Sequence, residues 1–293
     1  MVLVRLSGAV GARSQAPMGL YTWRCRCARW WTAWALLVAV SPAGALEASL
    51  ELATWSRYVF RGQTYSDGAV LQPALTVSSG PWNWTTWANL DLSDANSTVD
   101  REVQWRFTEV DIYLNWASPT WGPCSVGFGL GTYAIAEPPG ASGDSTEVSA
   151  WYRFDPSALD SVPRWIREWP AVTWSVYYEF LEYEDWYASV ELGRTLPLAE
   201  SWELTGYARV GYAGRKYNQY FFATSENATA VDQTGWNDLT VRAEIAYTLA
   251  KTWKVGVLAE YGRFLDEDLR DAAREIYGRG DWRAVGLKFR HNF

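Results

Sequence analysis

The sequence predicts an all-β protein, a transmembrane up-and-down antiparallel β-barrel of about twelve strands. Three observations predict it. Apolar and charged side chains alternate every second residue along 46–293, turn-forming clusters separate the alternating segments, and the last segment ends on the aromatic Phe293.

That last segment is the clearest. Val285, Leu287, Phe289 and Phe293 share one face with His291, while Ala284, Gly286, Lys288, Arg290 and Asn292 share the other. In the first segment Ala48, Leu50, Leu52, Thr54, Tyr58 and Phe60 fall opposite Glu47, Glu51, Arg57 and Arg61, which predicts one strand running through residue 61. Val110, Ile112, Leu114 and Trp116 oppose Glu109, Asp111, Tyr113 and Asn115; Leu239, Val241, Ala243, Ile245, Tyr247 and Leu249 oppose Asp238, Thr240, Arg242, Glu244 and Thr248. The pattern returns with less contrast at Leu71–Val77, Trp84–Leu92, Val126–Ala134, Val148–Phe154, Val172–Phe180, Trp186–Leu192, Leu204–Tyr212 and Val255–Tyr261. Roughly ten residues is the length a tilted strand needs to cross an outer membrane, and an even count suits a single-chain barrel, with ten or fourteen strands as the alternatives to twelve. An apolar exterior around a charged lumen separates this class from soluble barrels, in which the pattern is inverted.

Connection lengths orient the strands. Ser79–Asn83, Ala117–Pro123, Thr195–Ser201 and Ala250–Thr252 are short; Ser93–Gln104, Ala136–Ser145, Ala213–Gly235 and Leu265–Asp281 are long and polar. Short turns belong to the periplasmic side and long loops to the exterior. Two connections break this order: Asp155–Pro170 is long where a periplasmic turn is expected, with Pro163–Trp169 as a small plug or surface helix, and Leu181–Asp185 is short where an external loop is expected. Trp82, Trp84, Trp116, Trp121, Trp165, Trp169, Trp202 and Trp253 all fall beside the expected periplasmic turns, where an amphipathic ring meets the membrane–water interface. In the last loop Leu265, Leu269, Ala272, Ala273 and Ile276 recur at helical spacing, which predicts either an amphipathic helix across the outer mouth or a solvated loop.

Residues 1–45 carry five arginines and no acid, then the apolar stretch Trp30–Val40 and Ala43-Gly44-Ala45. This is the order of a cleaved secretory signal, and Met18 offers an alternative start, since Met18–Ala45 is by itself a complete signal. The expected division is therefore a signal at 1–45 and a barrel at 46–293. Removing the signal's five arginines takes the formal charge from −7 to about −12, which excludes nucleic acid as a partner and electrostatic attachment to an anionic membrane. Cys124 is the only cysteine beyond residue 45 and His291 the only histidine, so no disulfide within 46–293 and no metal centre is expected. A Ser/His/acid hydrolase set finds no support around a histidine three residues from the end on the apolar face, so no enzyme and no cofactor is expected. The carboxylates Glu109 and Asp111 have the types of a general acid and base, but on a barrel strand they read as lumen polarity. Gly127, Gly129 and Gly131 share one strand face and leave room in the lumen rather than cradling phosphate. Asn96-Ser97-Thr98 and Asn227-Ala228-Thr229 match a glycosylation acceptor by chance in a bacterial-type protein.

The expected lumen lining is Glu51, Arg57, Arg61, Asp91, Glu109, Asp111, Glu147, Arg153, Glu179, Glu191, Arg209, Arg242, Glu244, Lys254, Glu260, Lys288 and Arg290. Such near-balanced charge allows two outcomes: pairing that closes the lumen, or acidic and basic walls around a narrow wet pore. Arg61-Gly62 reads equally as an anchor for an extracellular loop. The function implied is a passive, porin-like channel for small polar solutes or ions; the alternative is a structural or adhesive barrel, plugged and acting through its external loops. Outer-membrane lipid is the expected surrounding partner, and a bacterial outer membrane the expected location.

Ser56-Arg57-Tyr58-Val59-Phe60-Arg61-Gly62-Gln63-Thr64 resembles the opening S-x-Y-x-x-R-G signature of a family of bacterial outer-membrane proteins labelled Gcw_chp or TorF, and Glu109-Val110-Asp111-Ile112-Tyr113 is similar to a later acidic, aromatic strand of it. The resemblance covers the whole of 46–293 in architecture and two short stretches in motif; the Trp-rich character and Asp155–Pro170 depart from it. It implies a porin-like membrane barrel, and it implies that the barrel assembly machinery reads Phe293 as an assembly signal.

Overall fold

The computed structural model describes residues 46–95, 103–135, 144–224 and 229–293; the expected signal at 1–45, most of the Ala136–Ser145 loop and both Asn sequons fall wholly or partly outside them. Twelve strands close into an antiparallel barrel: β1 (Glu47–Trp55), β4 (Val70–Ser79), β5 (Trp82–Asp91), β6 (Arg106–Ala117), β7 (Cys124–Ile135), β8 (Asp144–Phe154), β9 (Ala171–Glu179), β10 (Trp186–Ala199), β11 (Trp202–Ala213), β12 (Gly235–Ala250), β13 (Trp253–Phe264) and β14 (Asp281–Asn292). Each pairs with its sequence neighbours, and β1 pairs with both β4 and β14. The expected count is therefore met by the wall.

The seam is a continuous ladder from Ser49↔Asn292 to Trp55↔Gly286, extended by the Phe293 N–H donating to the Ala48 carbonyl at 2.9 Å. Closure leaves no strand edge, which matters because an unpaired backbone group in hydrocarbon costs several kcal/mol. Two-residue alternation then decides which side chain meets which solvent. Val257, Val285 and Leu287 project outward, more than half exposed, while Leu258, Glu260 and Ala284 on the same strands are buried inside. An exposed apolar belt this continuous is stable only in lipid, so the chain is a transmembrane barrel of the outer-membrane type. Arg194 interrupts the belt: it has the outward parity of Val190, Leu192 and Leu196 and lies opposite Gly206.

Rings gird both ends. Trp82 pairs with Trp116, Trp202 with Tyr247, and Trp253 with His291, whose ring lies 3.8 Å from it, all at the end where the short turns lie. Trp186, Tyr212 and Trp236 stack across β10–β12 at the other end. The long connection after β8 is a 3₁₀ turn (Pro156–Ala158) and a one-turn helix α1 (Arg164–Arg167) with Trp165 and Trp169 exposed, so it is a surface helix and not a plug. The short β9–β10 turn is external, as its position in the order requires.

The first strand corrects the sequence reading. β1 stops at Trp55, and residues that had read as its continuation form a separate hairpin, β2 (Tyr58–Phe60) and β3 (Gln63–Ser66). Tyr58 and Phe60 do not face lipid; Tyr58 and Tyr65 pack with Trp55, Val70, Leu258 and Ala284 inside the barrel. The turn at Arg61 and Gly62 has positive φ at both positions, +48° and +85°, the type I′ pattern that suits a two-residue hairpin. Alternation was real, but a lumen plug satisfies it as well as lipid does.

Two helices cap the outer end: α2 (Arg215–Phe222) and α3 (Glu267–Tyr277). α3 is the helix expected in the last loop. Asp266 caps it by accepting from the Leu269 N–H at 3.1 Å, Gly278 ends it in the left-handed region, and Leu269, Ala272 and Ala273 are buried. These pack with Tyr187, Tyr217, Phe222, Phe264 and Trp282 into an aromatic cluster at the outer mouth.

Candidate functional site

The lumen is divided by the hairpin. Below it lies a cavity of about 450 Å³ bounded by Glu51, Arg57, Tyr58, Trp87, Asp111, Tyr207, Arg242, Glu244 and Lys288. A vestibule of about 300 Å³ shares Glu244 and Lys288 with it and is bounded toward the periplasmic mouth by Glu203, Lys254 and Arg290. Above the hairpin lies a pocket of about 220 Å³ walled by Tyr65, Glu109, Tyr183, Tyr217, Tyr220 and Tyr277. Phe60 and Tyr133 touch both the lower cavity and the upper pocket, so the septum between them is thin.

Arg61 is the centre of the septum. It reaches from the hairpin tip to Glu147 on β8 in a two-pronged pair, 2.9 and 2.7 Å, with both side chains 4 % exposed. Its guanidinium also lies 4.7, 4.2 and 4.6 Å from the ring centres of Phe60, Tyr177 and Tyr187. Arg61 thus belongs to the plug rather than the wall, and its planar fork suits a site that is at once bidentate and stacked. The Gln63 amide donates to the Tyr217 hydroxyl at 2.6 Å and accepts from Tyr65 at 2.8 Å, tying the hairpin to α2. Burial raises the Tyr217 phenol well above its ordinary value and keeps it protonated.

Most expected lining residues do face inward, and most are paired. Glu51 meets Arg290 at 2.5 Å, Arg242 meets Glu260 at 2.5 Å, Lys254 meets Glu203 at 2.9 Å and Arg209 meets Asp238 at 3.6 Å. Lys288 pairs with Glu244 from two strands away, across Gly256, where a Cβ would lie 2.7 Å from the Glu244 carboxylate. Gly127, Gly129 and Gly131 make similar room for Trp151, Asn115 and Tyr113. Glu191 faces inward opposite Arg209 on the neighbouring strand.

Four more expected residues have other settings, and two face inward without a base among the described residues. Arg57 sits in the link before the hairpin, bound to Asp67 at 2.5 Å and to the Arg283 carbonyl at 3.0 Å. Arg153 lies at the periplasmic rim on Asp155 at 3.0 Å. Asp91 ends β5 and accepts from Thr108 at 2.6 Å. Glu179 accepts backbone N–H groups from Leu181 through Glu184, so it builds the β9–β10 turn. Glu109 and Asp111 are buried on the inner face of β6 and pair with no base among the described residues. Tyr113 donates to Asp111 Oδ2 at 2.7 Å, the Tyr58 hydroxyl reaches Glu109, and the two carboxyl groups lie within hydrogen-bonding reach of each other.

Sequence reading weighed charges alone and missed Tyr58, Tyr113, Tyr133, Tyr187 and Gln63. Inward parity alone marks Tyr113, Tyr133 and Tyr187, while two turn signals within eight residues, Arg61-Gly62 and Asp67-Gly68, mark the hairpin.

A family model described as MltA-interacting protein MipA matches residues 143–272. That span runs from the start of β8 into α3 and excludes the hairpin and β6. The Gcw_chp/TorF signature falls on the link and hairpin, outside the match. No curated protein sequence matches the chain. Among solved structures, the chain is similar to a KdgM porin at 10 % identity, over 84 % of this chain and 99 % of that one, with a TM-score of 0.47. It is similar to the NanC porin at 10 % identity, over 82 % and 97 %, with a TM-score of 0.47. It is similar to the translocator domain of autotransporter NalP from Neisseria meningitidis at 11 % identity, over 91 % and 94 %, with a TM-score of 0.39.

Proposed function

We propose that this barrel is a narrow, porin-like passage in a bacterial outer membrane for small polar solutes or ions, without an enzymatic step. The observation that carries the reading is the row of charge-lined cavities along the lumen, interrupted at the septum of Phe60, Arg61 and Tyr133. A lumen meant only as a packed core has no use for a wet chamber of about 450 Å³ lined by Arg242, Glu244 and Lys288. Neighbouring charges pair around it, which leaves a polar wall with little net field on the β11–β14 side. Purified protein in planar bilayers is expected to give discrete conductance steps, small because of the septum. A folded, heat-modifiable barrel that stays silent would sink the passage.

One observation favours a second reading. The hairpin is seated by a buried ion pair and roofed by the cluster of α2 and α3, as a permanent plug would be. The barrel would then act through its outer face or hold a partner protein, as the name of the MipA family suggests for that family. Recording with the hairpin present and absent separates the two: a passage conducts with residues 58–66 in place, whereas a plugged scaffold is silent until they are deleted. We further propose that the likeness to Gcw_chp/TorF extends to a shared inward-folded first loop, and that lipid and the assembly machinery are partners. Residues 1–45 are proposed to be the cleaved signal.

A further inference from the structure

We propose that Glu109 and Asp111 form a binding site for a small organic ammonium ion at the septum of the lumen. As a step in transport the site rests on the passage proposed above; as a binding site it does not.

Three nearby acids facing the lumen have bases beside them: Glu147 has Arg61, Glu244 has Lys288, and Glu260 has Arg242. Glu109 and Asp111 have no base among the described residues, although they are as deeply placed, at 5 % and 2 % exposed. Buried carboxylates are paired as a rule, because an isolated one costs several kcal/mol. The second observation is the oxygen left over. Asp111 Oδ2 accepts from Tyr113, but Oδ1 accepts from no described group, and Asp111 lines the lower cavity. Glu109 lines the upper pocket and lies within hydrogen-bonding reach of Asp111, so the two acids form one pair at the septum between the chambers.

The surroundings select the kind of cation. Tyr58 stacks on Tyr65 at 5.0 Å and meets Trp87 at 5.6 Å, and its hydroxyl reaches Glu109, which puts aromatic rings beside the acid pair. A ring quadrupole attracts an ammonium ion, most strongly when both are out of water. No group of three or more acidic, Cys or His side chains fit to hold a metal occurs among the described residues, so the donor set is too small for a divalent metal. An alkylammonium supplies three N–H donors for Asp111 Oδ1, Glu109 and a phenol oxygen, and lays its alkyl group on the rings.

The test uses the full barrel purified in detergent, with ethylammonium chloride as the probe and sodium chloride at equal ionic strength as the blank. Ligand-observed NMR is expected to give saturable binding, and E109Q/D111N to weaken it at least tenfold while heat-modifiable migration is retained. If the double variant does not fold, W87L in the wild-type background reads the same site, with a severalfold loss expected. Undiminished binding by either folded variant, no saturable binding by the wild type, or displacement of the probe by micromolar calcium would each overturn the proposal. Binding without conductance keeps the site and removes the passage; conductance without binding does the reverse.

Discussion

Replacing Arg61 by Met tests whether the hairpin is a seated plug. The variant keeps the length and apolar body of the side chain but leaves Glu147 buried without its base; only the Tyr133 hydroxyl at 3.3 Å still reaches that carboxylate. Removing one partner of a buried pair costs about 3–5 kcal/mol. The cost is borne locally, because β1 pairs with β14 and β4 without using any residue of the hairpin. Converted at 1.36 kcal/mol per tenfold, it shifts the balance between seated and released hairpin by roughly two to nearly four powers of ten. Planar-bilayer recording is therefore expected to find a larger conductance state in R61M, frequently occupied, above the small steps of the wild type. R61M/E147L removes the stranded charge as well, and an apolar substitute for a buried pair is often neutral or stabilising, so it is expected to return toward the wild-type record. An R61M barrel that is heat-modifiable and conducts identically to the wild type would refute the seated-plug reasoning.

Other outcomes follow from the same geometry. Gly62→Ala puts a Cβ 2.6 Å from Phe264 at a φ of +85°, so strain and clash together should destabilise the hairpin by about 2–3 kcal/mol, read as the same larger conductance state in a barrel that still closes. Partial burial works to raise the Asp155 pKa, but hydrogen bonds from Ser157 and the Arg153 charge outweigh it and hold the carboxyl below its ordinary value. A depressed acid stabilises above its unfolded pKa of about 3.9 and loses that contribution as pH falls through the folded value, so the melting difference between wild type and D155N should be full at neutral pH and vanish in strong acid. Deleting Phe293 removes a side chain that is 73 % exposed and one ladder bond, to Ala48, so purified barrel should lose little stability while surface levels fall sharply; undiminished surface levels would remove the assembly-signal role.

Much of the wall was legible in the sequence because parity is a local property. Val285, Leu287 and Phe289 against Lys288 and Arg290 specify a strand with a wet face and an apolar face, whatever its neighbours are. The helix at 267–277 was half legible for the same reason: its apolar spacing marked a helix but left a solvated loop open, and the cap at Asp266 and the stop at Gly278 decide it. Tyr58 and Phe60 were misread because parity names a face but not the solvent that covers it; lipid and the inside of a barrel reward the same apolar pair. The inward acids were found, but which of them lack a base was not readable. Whether Glu244 meets Lys288 across Gly256 while Asp111 meets a tyrosine depends on register between strands that are distant in sequence.

By itself, then, the sequence determined an alternating wall of about twelve strands, its two ends and its charged lining, since each follows from side-chain order along one strand. The tertiary structure alone decided that the first loop turns inward, that Arg61 and Glu147 close the septum, and that Glu109 and Asp111 meet no base among the described residues. The physical reason is that charge pairing and plugging are contacts between segments many residues apart, and only closure of the barrel sets the distances over which those charges act.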